Sequence, residues 1–179
     1  MAEGAYSANT LRAQKADGAT FQAFCEARGE PYLPAIPKTI RAFIEDRVKA
    51  GKKPATIKRY VATISRAHMA ALLLNPCSSE AVAIGIKKMG RETSARQEQV
   101  HPLGWKDIKE FIESAGEGLR ADHERAMLCV AYETLARRGE LVALEIRDID
   151  FHPNGTGQAL IRRGKTDTEG QGRMAYLSR

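Results

Sequence analysis

Residues 126–151 constrain the fold of this chain most. From 126 to 135 the sequence is apolar nearly all round a helix, a pattern that demands cover on several sides and predicts a central element. It then breaks at two adjacent arginines, Arg137 and Arg138. After Gly139 it restarts as a short amphipathic turn, and it ends on alternating Ile-Arg-Asp-Ile-Asp-Phe. An arginine at the end of a buried helix is unusual, because arginine is rarely buried without a partner. Glu140, three residues after Arg137, is the expected partner. Helix periodicity points Arg137 rather than Arg138 inward. A guanidinium held by a packed helix end and a carboxylate suits a phosphate, since its planar fork matches two oxygens at once. The same pair also reads as an ordinary helix-ending salt bridge, with Glu140 answering the helix dipole.

The surroundings of this break come next. Residues 158–162 and 173–177 read as two strands. Between them lies the polar, glycine-bearing segment G-K-T-D-T-E-G-Q-G, expected to form a flexible hairpin tip. Lys165 stands at its beginning. It is either a mobile cation able to protonate an alkoxide leaving group or an exposed loop lysine. Upstream, residues 105–115 predict a helix with Trp105, Ile108, Phe111 and Ile112 on one face, and residues 120–136 predict the next helix, which delivers Arg137.

The first half is built differently. Helices are expected over about 7–28, 37–50, 54–73 and 79–92, separated by Gly29, by a loop carrying three prolines, by Gly51 and by Asn75-Pro76. Gly18 weakens the middle of the first. In the third, Ile57, Tyr60, Val61, Ile64, His68 and Leu72 recur at helical spacing, while Lys58, Arg59 and Arg66 lie off that stripe. The fourth gathers Lys87 and Lys88 near its end, where cations also answer the helix dipole. Residues 93–101 have no apolar period and read as an exposed linker. The predicted organisation is thus a helical bundle over 1–92, a linker over 93–101, and a second domain over 102–179.

Charge follows this division. Residues 1–100 hold 16 Lys and Arg against 9 Asp and Glu, whereas residues 101–179 hold 12 against 13. Nine basic residues fall between Lys38 and Arg66, against only Glu45 and Asp46. Such a concentration points to a polyanion, or else to a solvated helical surface. No apolar run approaches the roughly 18 residues needed to span a bilayer, and the N-terminus shows no apolar signal core. A cytoplasmic or nucleoid-associated protein without membrane attachment is expected. Cys25, Cys77 and Cys129 form no C-x-x-C pair and are expected as free thiols beside helices. His68, His101, His123 and His152 lack ligand spacing, and no phosphate-binding glycine loop occurs, so neither a metal nor another cofactor is predicted. Tyr60 and Tyr132 fall on apolar helical faces and Tyr176 lies mid-strand, which argues against each as a nucleophile.

Together these parts resemble the tyrosine recombinases of the phage-integrase family. The resemblance rests on A-Y-E-T-L-A-R-R-G-E-L, on D-I-D-F, on the hairpin with G-K-T, and on the basic bundle before them. The run S-A-N-T-L-R-A-Q-K-A-D-G-A-T-F-Q-A-F-C-E-A-R-G is similar to the first DNA-binding helix of a family member in length and in its aromatic-Cys ending. It implies a mainly α fold: a SAM-like, core-binding bundle, then the first part of a mixed α+β catalytic domain with a small sheet. Arg137 then corresponds to the arginine on the scissile phosphate, Glu140 to the acid that positions it, and Lys165 to the lysine that protonates the leaving 5′-hydroxyl. The implied reaction is DNA recombination or integration by phosphoryl transfer through a 3′-phosphotyrosyl link, without metal or ATP.

The implied partner is double-stranded DNA, gripped by a clamp, with tetramers forming on DNA. Thr10, Arg12, Lys58, Arg59, Arg66, Lys87 and Lys88 are the implied DNA contacts. The family's His-x-x-Arg and nucleophilic tyrosine would follow the hairpin, beyond Arg179. The 179-residue chain is therefore expected to be an incomplete catalytic domain, inactive by itself and exposing apolar surface. Two other readings stand beside it: a non-catalytic DNA-binding module occupying a recombination site, and a helical interaction protein whose basic faces are merely soluble surface.

Overall fold

The computed structural model describes residues 6–93, 99–165, 167 and 169–178. The chain is mostly helical with one small sheet, and it divides into two compact units, Met1–Gln99 and Val100–Arg179. Of the expected linker over 93–101, residues 94–98 lie outside the described residues.

The first unit holds α1 (Ala8–Glu26), α2 (Pro37–Lys49), α3 (Pro54–Ala70) and α4 (Glu80–Glu92), with a 3-10 turn at Pro76–Ser78. Ser7 caps α1 by accepting the amide of Thr10, and prolines open α2 and α3 at the first turn, where a missing N–H costs nothing. The helix α1 runs through Gly18 without a break. The apolar stripes of the four helices form one core, in which Phe43 is fully buried. Its ring lies edge-on to Phe21 and Phe24 at 5.1 Å each and to Tyr60 at 5.6 Å, the geometry that aromatic quadrupoles favour. Cys25 is buried in the same core, and desolvation pushes its thiol up to about 11. Cys77 is half-buried, and burial raises it to about 11 as well.

His68 is a satisfied core histidine. Its Nε2 accepts the amide of Ala35 at 2.9 Å and its Nδ1 donates to the carbonyl of Ile64 at 2.8 Å. It thereby ties the proline-rich loop before α2 to the end of α3. The pairs Asp17–Arg59 and Tyr6–Arg66 set α1 and α3 antiparallel.

The second unit holds α5 (Trp105–Ser114), α6 (Leu119–Thr134), the single-turn α7 (Arg138–Leu141), a 3-10 turn at Ile146–Asp148, and strands β1 (Ile149–Phe151), β2 (Gly157–Ile161) and β3 (Arg173–Leu177). The strands form an antiparallel sheet in the order β1-β2-β3, with Ala159 opposite both Ile149 and Ala175. Two glycines are sterically required here. A side chain at Gly157 would press within 2.8 Å of the Asp150 carbonyl, and one at Gly172, where φ is +71°, within 2.9 Å of the Ile161 carbonyl.

One expectation fails in this unit. The helix α6 is not central: among its described residues only Ala121 and Thr134 are buried. Among the described residues it meets α5, α7 and β3. On α5 only Ile108 is buried, while Trp105 and Phe111 are exposed, Trp105 leaning on Tyr132 at 5.9 Å. In the β2–β3 tip Asp167 gathers backbone donors. Asp167 accepts the amides of Gly170, Gln171 and Gly172 at 2.8, 3.0 and 2.8 Å. These amides, that of Gly172 foremost, hold its carboxyl below the usual range.

Candidate active site

The break after α6 is made by backbone conformation. Thr134 donates its hydroxyl to the Val130 carbonyl at 2.6 Å, and Leu135 then adopts a left-handed conformation with φ +49°. For a leucine this costs on the order of 1–2 kcal/mol. The strained step turns the chain sharply, so that Arg137 is extended and α7 begins behind it.

Glu140, not an arginine, is the buried group. It is 7% exposed, whereas both Arg137 and Arg138 are exposed. The expectation of an inward Arg137 is corrected: a one-turn helix covers the short acid on its inner side, and the long guanidinium reaches round it. Glu140 Oε1 accepts from Arg137 Nη1 at 2.8 Å, and Oε2 accepts the Arg137 amide at 3.1 Å. The Arg137 guanidinium first, and then its amide, hold the Glu140 carboxyl below the ordinary carboxylate range.

The hairpin closes on the same carboxylate. The backbone N–H of Lys165 is a further donor that lowers Glu140, and a Cβ at Gly164 would lie 3.4 Å from Oε1. Glu140 thus joins Arg137 to the Lys165 turn, 25 residues along the chain. The Lys165 side chain itself is exposed. Arg173, at the start of β3, was missed by sequence reasoning. Its Nη2 donates to the Thr134 carbonyl at 3.1 Å and lies 3.6 Å from Glu140 Oε2. It caps α6 and adds a second cation to the corner. The available signal was its place as the first residue of the strand opposite Ile161.

This corner has the makings of an anion site. Only one nitrogen of the Arg137 fork is engaged by Glu140, so other N–H donors face solvent from a fixed base. Arg173 adds positive charge, and the Lys165 backbone stands at the same carboxylate. Of the tyrosines, Tyr60 is buried under Phe43, Tyr132 is half-buried against Trp105, and Tyr176 is exposed on β3.

Glu140 also fixes a pH dependence. Its folded pKa is depressed, so its contribution to stability is present above the unfolded value of about 4.3 and is lost as pH falls through the folded value. Asp167 acts with the same sign in the same unit. Melting temperature is therefore expected to hold steady from neutral pH to about pH 5 and to drop in acid. Glu140→Gln should shrink that drop without erasing the part due to Asp167. An acid limb identical in the two proteins would show that Glu140 is not held as described.

The expected DNA contacts lie on the first unit. Thr10 shares a hydrogen bond with Ser7, and Arg12 donates to Asn9 at 3.0 Å. Lys58 and Lys87 are exposed, Arg66 lies over the Tyr6 ring, and Lys88 stands 3.7 Å from Glu92. Arg59 is different. It is engaged by two hydrogen bonds to Asp17. Among the described residues no group of three or more His, Cys, Asp or Glu could hold a metal ion. No described helix is long and apolar enough to cross a membrane.

The bundle is of a known class. Residues 1–73 match the phage integrase N-terminal SAM-like domain. The chain is 30% identical over 154 residues to an integrase/recombinase XerD homologue of Selenomonas ruminantium, covering 82% of this chain and 44% of that protein. It is 24% identical over 169 residues to the recombinase Cre of Escherichia phage P1, covering 92% of this chain and 49% of that one. These similarities support the tyrosine recombinase family for this chain, as its sequence motifs imply. The chain spans about half the length of the curated relatives it matches.

Proposed function

We propose that this chain serves site-specific DNA recombination or integration, the helical bundle holding duplex DNA and the Arg137–Glu140–Lys165 corner holding the scissile phosphate. The observation that carries this reading is the meeting of the Arg137 and Lys165 segments on one buried carboxylate, in a chain whose relatives are named recombinases. In phosphoryl transfer, negative charge spreads over the equatorial oxygens, and pre-placed cations stabilise it without reorganising. Arg137 takes that role. Glu140 fixes the guanidinium, and Arg173 steadies Glu140 from the sheet side. In this reading Lys165, exposed on its turn, gives a proton to the departing 5′ oxygen. The attacking group of the family is a tyrosine, which forms a 3′-phosphotyrosyl link and so splits one displacement into two reversible steps. We assign that role to none of Tyr60, Tyr132 and Tyr176. The linker between bundle and second unit, self-association on DNA, and action in a bacterial or phage cytoplasm belong to the same reading.

Binding to duplex DNA is the direct test for the bundle. The logarithm of the association constant should fall linearly with the logarithm of salt concentration, by about 0.9 for each phosphate contact. Replacing Lys58 and Arg66 together with alanine should flatten that slope by roughly 2. Absence of duplex binding at low salt would overturn the proposal and leave a helical interaction protein. An unchanged slope in the double variant would place those two residues away from the DNA.

A further inference from the structure

Asp17 is the least expected residue of the basic unit. It is a carboxylate only 3% exposed, in the middle of α1, facing α3. Arg59 donates to it twice, from Nε to Oδ2 at 2.9 Å and from Nη2 to Oδ1 at 2.8 Å, and the Thr63 hydroxyl donates at 3.3 Å. The acid is buried, yet the Arg59 side chain remains 56% exposed. The side edge of the guanidinium is thus occupied, while its end, with Nη1 and the second N–H of Nη2, is left open in a fixed plane.

The seam around this pair is polar on both sides. Thr10, Gln14 and Asp17 recur at i, i+4 and i+7 on α1, and Arg59, Thr63 and Arg66 do the same on α3. Within it, the Gln14 side-chain nitrogen is buried without a hydrogen-bond partner among the described residues. A buried donor left unmade is costly, and here it lies on the same stripe as Asp17.

The geometry points to Asp17 as a positioning residue that presents Arg59 as a reader of a guanine edge in duplex DNA. This inference rests on the DNA-binding reading of the bundle and goes beyond it, from backbone grip to sequence readout. The choice between guanine and phosphate follows from charge. A phosphate contact needs positive charge and little orientation, which neighbouring Lys58 supplies. Pairing Arg59 with a buried carboxylate removes its net charge and so weakens it as a phosphate ligand. What the pairing preserves is a rigid pair of parallel donors, the match for O6 and N7 of guanine in the major groove.

Selection from a pool of random-sequence 30-base-pair duplexes, using the 179-residue chain, tests this. The wild-type protein should enrich a motif containing a G·C pair whose replacement weakens binding by about 5- to 100-fold, the range of one bidentate base contact. Asp17→Asn frees the Arg59 charge but loosens its plane. It should lose the preference at that pair alone, while its affinity for unselected duplex stays the same or rises. Arg59→Lys, which retains a cation beside Asp17, should lose the same preference and serves as the second variant if Asp17→Asn melts early. Lys58→Ala should keep the preference and lower the salt slope by about one.

A merely structural role for Asp17 predicts that both affinities fall together, and that result would overturn the inference. So would retention of the base preference in either variant, or a lowered salt slope in Arg59→Lys without a change of preference, which marks a phosphate contact. Salt-dependent binding with no enriched motif sinks the guanine reading but leaves the bundle a DNA binder. No binding at low salt sinks both.

Discussion

Arg137→Ala is expected to lower DNA strand cleavage by roughly 10³-fold or more while changing duplex affinity little. The magnitude is that of removing an arginine that meets charge developing on a transferring phosphoryl group. The split between chemistry and binding follows from geometry. Arg137 is one exposed cation on the second unit, whereas the basic excess lies in the first. Its loss also leaves the Glu140 carboxylate with the Arg173 guanidinium and the Lys165 amide as partners, so the corner keeps part of its framework. The measurement is covalent protein–DNA complex on a nicked duplex, resolved by denaturing electrophoresis, with the full-length gene product. Normal attachment by the variant would refute the assignment of Arg137. No attachment by the unaltered gene product would favour a DNA-binding module that occupies sites without cutting them.

The second large effect is on stability. Phe43→Ala should destabilise the bundle by about 3–5 kcal/mol, the usual cost of emptying a buried aromatic position. Phe43 contacts the rings of Phe21 and Phe24 on α1 and of Tyr60 on α3, so no single side chain can shift to fill the gap. Small domains hold only about 5–15 kcal/mol in all. A fall in melting temperature of roughly 15 °C or more is expected for a unit of this size, read by far-UV circular dichroism. A shift of only a few degrees would mean that the core repacks around the gap.

The helices of the bundle were legible because their signals are local. Apolar spacing, prolines at first turns and glycines at ends place α1 to α4 within a few residues of where they lie. The pairing of Arg137 with Glu140 was legible for the same reason, since three residues separate them. What was not legible depends on distance along the chain. Which partner of that pair is buried is decided by how the one-turn helix α7 faces the hairpin, and Arg173 belongs to the corner only through the sheet. Asp17 and Arg59 are 42 positions apart; nothing in either segment alone reveals that a mid-helix acid sits under an arginine. The misjudged cover of α6 has another origin. Periodicity reports how much apolar surface a helix carries, not how much of it neighbouring elements conceal.

One consequence of the Glu140 hub concerns how the corner comes into being. Its donors belong to the end of one helix, to a hairpin turn and to the first residue of a strand. Arg137 is three residues from Glu140, but the two hairpin donors reach the carboxylate only through tertiary packing. The Arg137–Glu140 pair belongs to α7 itself, whereas the Lys165 turn and Arg173 join it when the hairpin docks and leave it when the hairpin lifts. Under the proposed function, loss of phosphate binding on warming should track this local opening rather than melting of the bundle, because exposed turns and short strands open at lower free energy than packed helices. In such a corner, the thermal range of the chemistry is set by three short strands and one carboxylate.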